Sequence, residues 1–525
     1  MGVLCCQFGG WVVGVGELAA VGAVSGVLCC QFGGWVVGVG ELAAVGAHSG
    51  VLGCQFAFVA EVTRLGAGPC HTRAVRWTLA EIAAATGGRL HGDGAATVDG
   101  VTQDSRDVRP GMLFVPLVAE RDGHDFIADA VARGAAAYLT ARGPSGVEAA
   151  AVEVTDTQAA LTALAREARS RLGSVPVVGI TGSVGKTTTK DLLAAVLGQD
   201  RRVWASTRSF NNEIGVPITL LATPDDAEAL VVEMGSRGPG HIAELCRAAR
   251  PTMGVITTVG LSHTSELGSL AAVVSAKREL VESLPAAADG GVAFLNAGVP
   301  EVAAMAAATD ARVVTFGDGG EVSARGLKLD DDLTPRFVLH SRLGEVEVKL
   351  GARGLHSVDN ALAAAAVGIE LGVSLKDVAA GLAEPTLSPL RMEILRTAGG
   401  ARLLNDCYNA NPLSMRAALH ALAALPAQRR IAVLGTMAEL GDFEAAEHAA
   451  IGSLAGQMGI DVIAVDSPGY SSGDGIVIEA EGIDGALAAL DDLGILDAGY
   501  AVLVKGSRVA GLERLVERLV AGADA

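Results

Sequence analysis

The pattern of apolar and polar positions changes character near residue 76. Beyond it, short apolar runs alternate with longer amphipathic ones. From Trp77 a helix-like run, LAEIAAATGG, leads into short strands and turns. Arg109-Pro110-Gly111 reads as a turn. Phe126 to Ala137 reads as a helix, and Tyr138-Leu139-Thr140 as a strand. This first region closes near Gly173.

A stronger rhythm follows. Val177 to Thr181 reads as a buried strand and Lys186 to Leu197 as a helix. Leu230 to Glu233 and Gly254 to Thr257 are further apolar strands, each followed by a helical stretch. A second series starts near Arg391, with strands at Leu403–Asp406, Ile431–Leu434, Val462–Val465 and Val502–Val504. Apolar strands separated by helices predict parallel sheets covered on both faces. The expected fold class is α/β in three domains. A small α/β domain over 76–172 precedes a parallel-sheet domain over 173–383 and a Rossmann-like α/β domain over 384–525. A chain of 525 residues accommodates about three domains.

Residues 1–75 break the pattern. Residues 2–25 and 26–49 are one 24-residue unit, GVLCCQFGGWVVGVGELAAVGA(V/H)S, differing only at Val24 and His48. A third copy starts at Gly50 and decays. Two copies do not make a solenoid, and the unit is too rich in glycine for a steady helix or strand. Leu18 to Gly40 is uncharged and long enough to span a membrane. It is dense in glycine, however, and no Lys or Arg precedes Arg64, which also argues against a signal peptide. A functional appendage is a second reading. The expectation adopted is a third: a duplicated stretch upstream of the true start, which then lies at Val75.

Composition narrows the function. Lys plus Arg number 40 against 59 Asp plus Glu, a formal net charge of -19. Such a chain is a poor nucleic-acid binder through a broad electrostatic footprint. It can still bind anions locally, at helix N-termini and backbone nests. Of eight cysteines, six fall in the first 70 residues, and only Cys246 and Cys407 lie beyond. The body therefore has no disulfide framework, as expected of a cytoplasmic protein.

Four segments carry candidate chemistry. Thr181-Gly182-Ser183-Val184-Gly185-Lys186-Thr187-Thr188-Thr189 joins a strand to a helix. Its glycines allow backbone N–H groups to converge on phosphate oxygens, Lys186 can neutralise the β/γ-phosphates, and the Thr187 hydroxyl can ligate Mg²⁺. The strict phosphate-loop spacing would put glycine at Ile180, so this is a variant loop. Glu233 ends a strand, where a carboxylate beside a phosphate loop suits Mg²⁺ or is simply solvated. Asn405-Asp406-Cys407-Tyr408-Asn409-Ala410-Asn411-Pro412 caps a strand and opens a helix. It supplies either polar readers for a ligand or ordinary capping. Lys505-Gly506-Ser507-Arg508 follows the last strand, where two cations and a hydroxyl suit an anionic substrate. The chain has seven lysines against 33 arginines, and Lys186, Lys277 and Lys505 sit in motif-like settings.

Together these residues resemble the Mur ligase family of peptidoglycan synthesis from about Trp77 to the C-terminus. The resemblance rests on TGSVGKTTTK, SFNNEIGVP (209–217), VVEMGSRGPGHI (231–242), the segment around His263, SAKREL, GLHSVDNALAAAA (354–366), NDCYNANPLSMRAAL (405–419), MAELG (437–441) and KGSR (505–508). The Asn-Asn pair and the YNANP run match the branch that adds D-alanyl-D-alanine to UDP-N-acetylmuramoyl-tripeptide. The Asp-Asn-Pro-Arg motif of the branch adding the third residue is absent.

The resemblance implies an ATP-dependent ligase that activates a carboxylate as an acyl phosphate and then forms an amide. Residue by residue, it implies ATP binding by Gly182 through Thr188, and two Mg²⁺ sites using Thr187, Glu233, His263 and Lys277. Lys277 matches a lysine carbamylated by CO₂. Asn296, His356 and Asn360 match residues around adenine, Asp406 the ribose contact, and Arg391 an arginine near the phosphates. Ser105 and Arg106 match UDP-sugar contacts. Asn211, Asn212, Tyr408, Asn409, Asn411, Lys505, Ser507 and Arg508 fall in substrate-side motifs. Catalysis is expected from Lys186, Lys277, His263, Arg391 and Asp406. The implied protein is a cytoplasmic monomer without a membrane or nucleic-acid partner. Departures from the family pattern are Gly298 where Asp is usual, Cys407 where Ser is common, and a short loop Val118-Ala119-Glu120. Other readings are a different Mur-type ligase, a folylpolyglutamate synthase-like enzyme, and a nucleotide switch. The switch lacks the guanine-reading Asn-Lys-x-Asp motif, and the Asp-Ser-Arg segment and YNANP run oppose the synthase.

The reading of residues 1–75 has a direct check. Protein from the source cell should begin at Val75 on N-terminal sequencing, and a chain truncated to that start should keep full activity. Recovery of Met1 or Gly2 as the main species would revive the membrane reading.

Overall fold

The computed structural model describes residues 76–261, 264–470, 475–494 and 496–521, with four short strands before residue 75. Those four form two antiparallel pairs, Leu4–Phe8 with Trp11–Val15 and Cys29–Phe32 with Trp35–Gly38. Each copy of the repeat thus holds a strand pair where none was expected. Phe8 pairs with Trp11 at one end of the first pair. Val75 lies outside the described residues, as does most of the candidate span Leu18 to Gly40. Among the described residues no helix is long and apolar enough to cross a membrane.

The body, from residue 76 onward, is built on three main sheets. The first helix, Leu79–Thr86, opens with a capping box between Thr78 and Glu81 and closes at Gly87, whose φ of 63° is left-handed. The N-terminal sheet runs Arg89–His91, Ala150–Glu153, Ala137–Thr140, Leu113–Phe114, Val101–Thr102, with only its first strand antiparallel. The helix expected over Phe126 to Ala137 is shorter, Ile127–Ala132, and Ala137 already belongs to a strand. Gly134 ends it at φ 103°, a conformation that side chains with a Cβ rarely adopt.

The central sheet has six parallel strands in the order Val203–Ala205, Ala229–Glu233, Val177–Thr181, Met253–Ile256, Val292–Asn296, Arg312–Phe316. Its middle strands are buried along their whole length, which is why they read as unbroken apolar runs. The helix Lys186–Leu197 covers one face together with Ser357–Glu370 and Leu375–Ala383. A three-stranded antiparallel sheet, Ser323–Leu329, Pro335–Ser341 and Gly344–Lys349, was not anticipated. Its strands alternate buried and exposed positions over few residues, a weaker signal than a buried run.

The C-terminal sheet runs Glu393–Arg396, Arg402–Asn405, Tyr500–Lys505, Arg429–Leu434, Asp461–Val465, Val477–Ala480, parallel except for its first strand. Parallel register brings the carboxyl ends of the strands to one edge in each sheet. In the central sheet Ile180 lies opposite both Glu233 and Val255, and Thr181 opposite Ile256. In the C-terminal sheet Leu434 lies opposite Lys505 and Asn405 opposite Val504. Ligand sites in such sheets form outside these ends, and here both edges open on one cleft.

Candidate active site

The cleft has a volume of about 1300 Å³ and is lined from both large sheets. Its floor is the phosphate loop. Gly182 (φ 149°) and Gly185 (φ 88°) admit no side chain. A Cβ on Gly182 would lie 2.0 Å from Thr257 Oγ1, and one on Gly185 2.2 Å from Asn360 Oδ1. The loop is held before any ligand arrives. Ser183 donates to the Gly260 carbonyl at 2.9 Å and accepts from its N–H at 3.1 Å. Thr257 donates to the Val184 carbonyl at 2.6 Å. The Lys186 ammonium donates to the Gly182 carbonyl at 2.7 Å. Burial depresses its pKa and Arg391 depresses it further, while Glu233 opposes both. Ile180, where the strict motif would have glycine, is a fully buried strand residue.

Beside the loop, Thr187 donates from Oγ1 to Glu233 Oε2 at 2.9 Å, and Asn211 Nδ2 donates to Glu233 Oε1 at 2.7 Å. The carboxylate is buried with both oxygens engaged. The Asn211 carbonyl also accepts the Gly235 N–H at 2.7 Å, so Asn211 grips the end of the strand that carries Glu233. A hydroxyl and a carboxylate beside a phosphate loop form the oxygen donor set that Mg²⁺ prefers, with phosphates completing its shell. The residues present therefore fit Mg²⁺ at Thr187 and Glu233. Among the described residues no three His, Cys, Asp or Glu side chains converge. His263 lies outside the described residues.

Lys277 is 1% exposed, and its ammonium donates to Ser236 Oγ at 2.9 Å. Burial, reinforced by Lys186, brings its pKa down to about 7.

Arg391 reaches the cleft from the segment that leads into the C-terminal sheet. Its Nη2 donates to Thr187 Oγ1 at 3.0 Å, and its guanidinium stacks 4.1 Å from the Tyr408 ring centroid. Its Nε is buried with no hydrogen-bond partner. The flanking Leu390 (φ 63°) and Met392 (φ 52°) both hold the left-handed conformation that non-glycine residues avoid. A guanidinium with an unused donor, aimed into a cleft by strained backbone, suits an anionic ligand.

Across the cleft, Asp406 Oδ2 pairs with Lys505 Nζ at 2.5 Å, and Lys505 also donates to the Asn409 carbonyl at 2.8 Å. The Asp406 Oδ1 accepts from the Met392 N–H at 3.3 Å. Ser507 accepts from the Ala438 N–H and donates to the Ala410 carbonyl. Asn411 caps the helix Pro412–Ala424 and lines the cleft. Tyr408 and Asn409 line it too, and the Tyr408 hydroxyl meets Ser209 of the central domain. His356 lines the cleft, its pKa lowered by burial against the pull of Asp406.

Most candidate residues thus converge, with some roles redistributed. Asn296 lines the cleft, but its amide is spent on the Thr257 carbonyl and the Gly298 N–H. Asn360 accepts from Thr189 and packs against Gly185. Asn212 accepts from the Gly215 N–H at 2.8 Å, capping the helix that follows. Ser105 and Arg106 do not line the cleft; Gln103 does. Arg106 is clamped to Asp104, whose pKa is held at about 2. The Cys407 thiol is buried, donates to the Val504 carbonyl, and is pushed well up in pKa, which makes it an inert packing group. The Asn211 clamp, the Tyr408 stack and the Ser236 partner were not legible as such, because each depends on a neighbour distant in sequence.

The fold and cleft define a phosphate-loop α/β protein with two sheet edges facing one nucleotide-sized site. The model of the Mur ligase middle domain matches residues 180–368, and that of the Mur ligase glutamate ligase domain residues 390–508. The chain belongs to the Mur ligase family. It is 41% identical over 469 residues to a UDP-N-acetylmuramoyl-tripeptide–D-alanyl-D-alanine ligase of Mycobacterium bovis, covering 80% of this chain and 91% of that one. The Escherichia coli ligase of the same name is 36% identical, covering 84% and 98%. Among solved structures, MurF from Acinetobacter baumannii superposes with a TM-score of 0.78 at 30% identity, covering 85% of this chain and 99% of that one. MurF ligase from Thermotoga maritima in complex with ADP gives 0.70 at 28% identity, covering 81% and 98%.

Two substitutions test this geometry. Gly185→Ala should abolish most ADP binding in isothermal titration and also lower the thermal unfolding temperature, since alanine is strained at φ 88° and Asn360 must be displaced from the loop. Lys505→Met should cost stability of about 2–3 kcal/mol in urea unfolding, because it leaves the partly buried Asp406 without its cation. Asp406→Asn added to Lys505→Met should recover part of that loss. A Lys505→Met variant as stable as the parent would show that the pair is not structural.

Proposed function

We propose that this protein is an ATP-dependent amide ligase that joins D-alanyl-D-alanine to UDP-N-acetylmuramoyl-tripeptide in the cytoplasm, for peptidoglycan synthesis. The observation that carries the proposal is the phosphate loop facing Glu233 and Arg391 within a chain 41% identical to ligases of that name. A carboxylate is a poor acyl donor, so its oxygen first attacks the γ-phosphorus of ATP and ADP leaves. The dipeptide amine then attacks the carbonyl of the acyl phosphate, phosphate leaves, and an amide remains.

Both steps crowd anions together, and this chain's residues answer that need. Lys186 and Arg391 face the phosphates, and the N-terminus of the helix Lys186–Leu197 points at them. Mg²⁺ at Thr187 and Glu233 would draw off negative charge from the transferring phosphoryl group. Asn211 holds Glu233 with one carboxylate edge toward Thr187. We further propose that Lys277 carries a CO₂-derived carbamate. Its depressed pKa supplies the neutral amine this requires, and the product is an anion fit to support a second Mg²⁺ with His263. The Asp406–Lys505 pair and His356 would border the nucleotide's sugar and base. The reading takes the protein to act as a monomer.

The deciding assay is ADP release with UDP-N-acetylmuramoyl-tripeptide and D-alanyl-D-alanine, each omitted in turn. Turnover should require both, and turnover with L-glutamate and a folate in their place would favour the synthase reading. Lys277→Ala should lose nearly all activity and regain part of it in acetate. Because the amine is neutral above about pH 7 and protonated below, reactivation of CO₂-depleted enzyme by bicarbonate should be fast at pH 8 and slow at pH 6. Full activity of Lys277→Ala would refute the carbamate.

A further inference from the structure

The acceptor dipeptide brings one feature the nucleotide and donor sites do not explain, a free carboxylate beside two methyl groups. The KGSR segment supplies two cations, but the structure spends one of them. Lys505 is buried, paired to Asp406 and bonded to the Asn409 carbonyl. Ser507 is likewise committed to Ala438 and Ala410. Arg508 remains. It lines the cleft with its side chain 60% exposed, tied only to Glu513 at 3.2 Å. Glu513 is itself incompletely satisfied, with its Oε2 buried and unbonded.

Two exposed apolar side chains line the same cleft from the C-terminal domain, Val509 directly after Arg508 in sequence and Leu413 at the start of the helix Pro412–Ala424. Val509 is 78% exposed and Leu413 37% exposed. Exposed apolar side chains within a polar cleft suit a ligand with small apolar groups. This part of the cleft adjoins the phosphate loop: Leu413 packs against Gly260, which is hydrogen-bonded to Ser183 of the loop. A planar, permanently charged guanidinium pairs with a carboxylate through two parallel hydrogen bonds, which an ammonium cannot do.

We propose that Arg508 receives the C-terminal carboxylate of the incoming dipeptide, with Leu413 and Val509 against its methyl groups, and that Glu513 holds Arg508 in place. The proposal rests on the ligase reading above. Arg508 thereby sets which amine is accepted: a short peptide with a free carboxylate, its amine directed at the acyl phosphate. The other exposed cation of the cleft, Arg237, follows the strand that carries Glu233, beside Ser236 and Lys277, on the opposite wall.

The test compares D-alanyl-D-alanine with D-alanyl-D-alaninamide, which lacks the charge. The parent enzyme should show a KM for the amide more than about tenfold above that for the acid, as expected for losing a charge-assisted bidentate pair. Arg508→Ala should raise the KM for the acid to near that for the amide, leaving the KM for UDP-N-acetylmuramoyl-tripeptide and the affinity for ADP unchanged. Arg508→Lys should restore discrimination in part, and Glu513→Gln should raise the KM for the acid modestly. A preserved amide-to-acid ratio in Arg508→Ala would overturn the proposal. So would loss of the ratio in Arg237→Ala alone, or a rise confined to the KM of the UDP-tripeptide. Absence of any turnover in the parent would instead strike the ligase reading itself.

Discussion

Buried positive charge that must stay available is the constraint on which this structure depends. The chain carries a net charge of -19, yet its cleft must attract nucleotide phosphates and a carboxylate. A buried cation is stable only if its charge is answered, and fully answering it would remove its use. The protein resolves this with partial engagement. Lys186 is bonded to a neutral carbonyl, Lys277 to a neutral hydroxyl, and Arg391 to a hydroxyl and an aromatic face. Lys505, by contrast, is neutralised by Asp406, and it serves to join segments of the C-terminal domain.

The architecture follows from the same need. Parallel sheets put strand ends, helix N-termini and loops at one edge, where backbone N–H groups add positive potential without net charge. Two such edges facing one cleft offer a ligand polar groups from both sheets. Contacts across the cleft include polar ones, such as Ser265 N–H to the Glu439 carbonyl and Arg391 to Thr187, and apolar ones, such as Leu413 against Gly260.

Strain sits where the domains join. Leu390 and Met392 hold left-handed backbone on either side of Arg391. Nearby, Asp191 of the phosphate-loop helix accepts the Ser388 N–H at 2.7 Å while paired to buried Lys190. The helix that opens at the phosphate loop is thus bonded directly to the segment that sets the position of the C-terminal domain.

The sequence by itself determined three of the six strands of the central sheet and four of the six of the C-terminal sheet, because buried strands leave unbroken apolar runs, while Val203–Ala205, Val292–Asn296, Arg312–Phe316, Glu393–Arg396 and Val477–Ala480 went unread. It also determined the phosphate loop, since Gly182 and Gly185 hold positive φ between a strand and a helix and Lys186 follows directly. The short helix after Phe126, the antiparallel sheet over 323–349 and the strand pairs of the repeat were not legible, because their patterns are brief or interrupted by glycine. Only the tertiary structure decided which motif residues face the cleft. It committed Lys505 and Ser507 to the protein, turned Asn211 onto Glu233, kept Ser105 and Arg106 out of the cleft lining, and left Arg508 exposed. Those outcomes depend on contacts between residues from 22 to 99 positions apart, as in Asn211–Glu233 and Asp406–Lys505. Side-chain direction across such separations is set by packing, which no local pattern encodes.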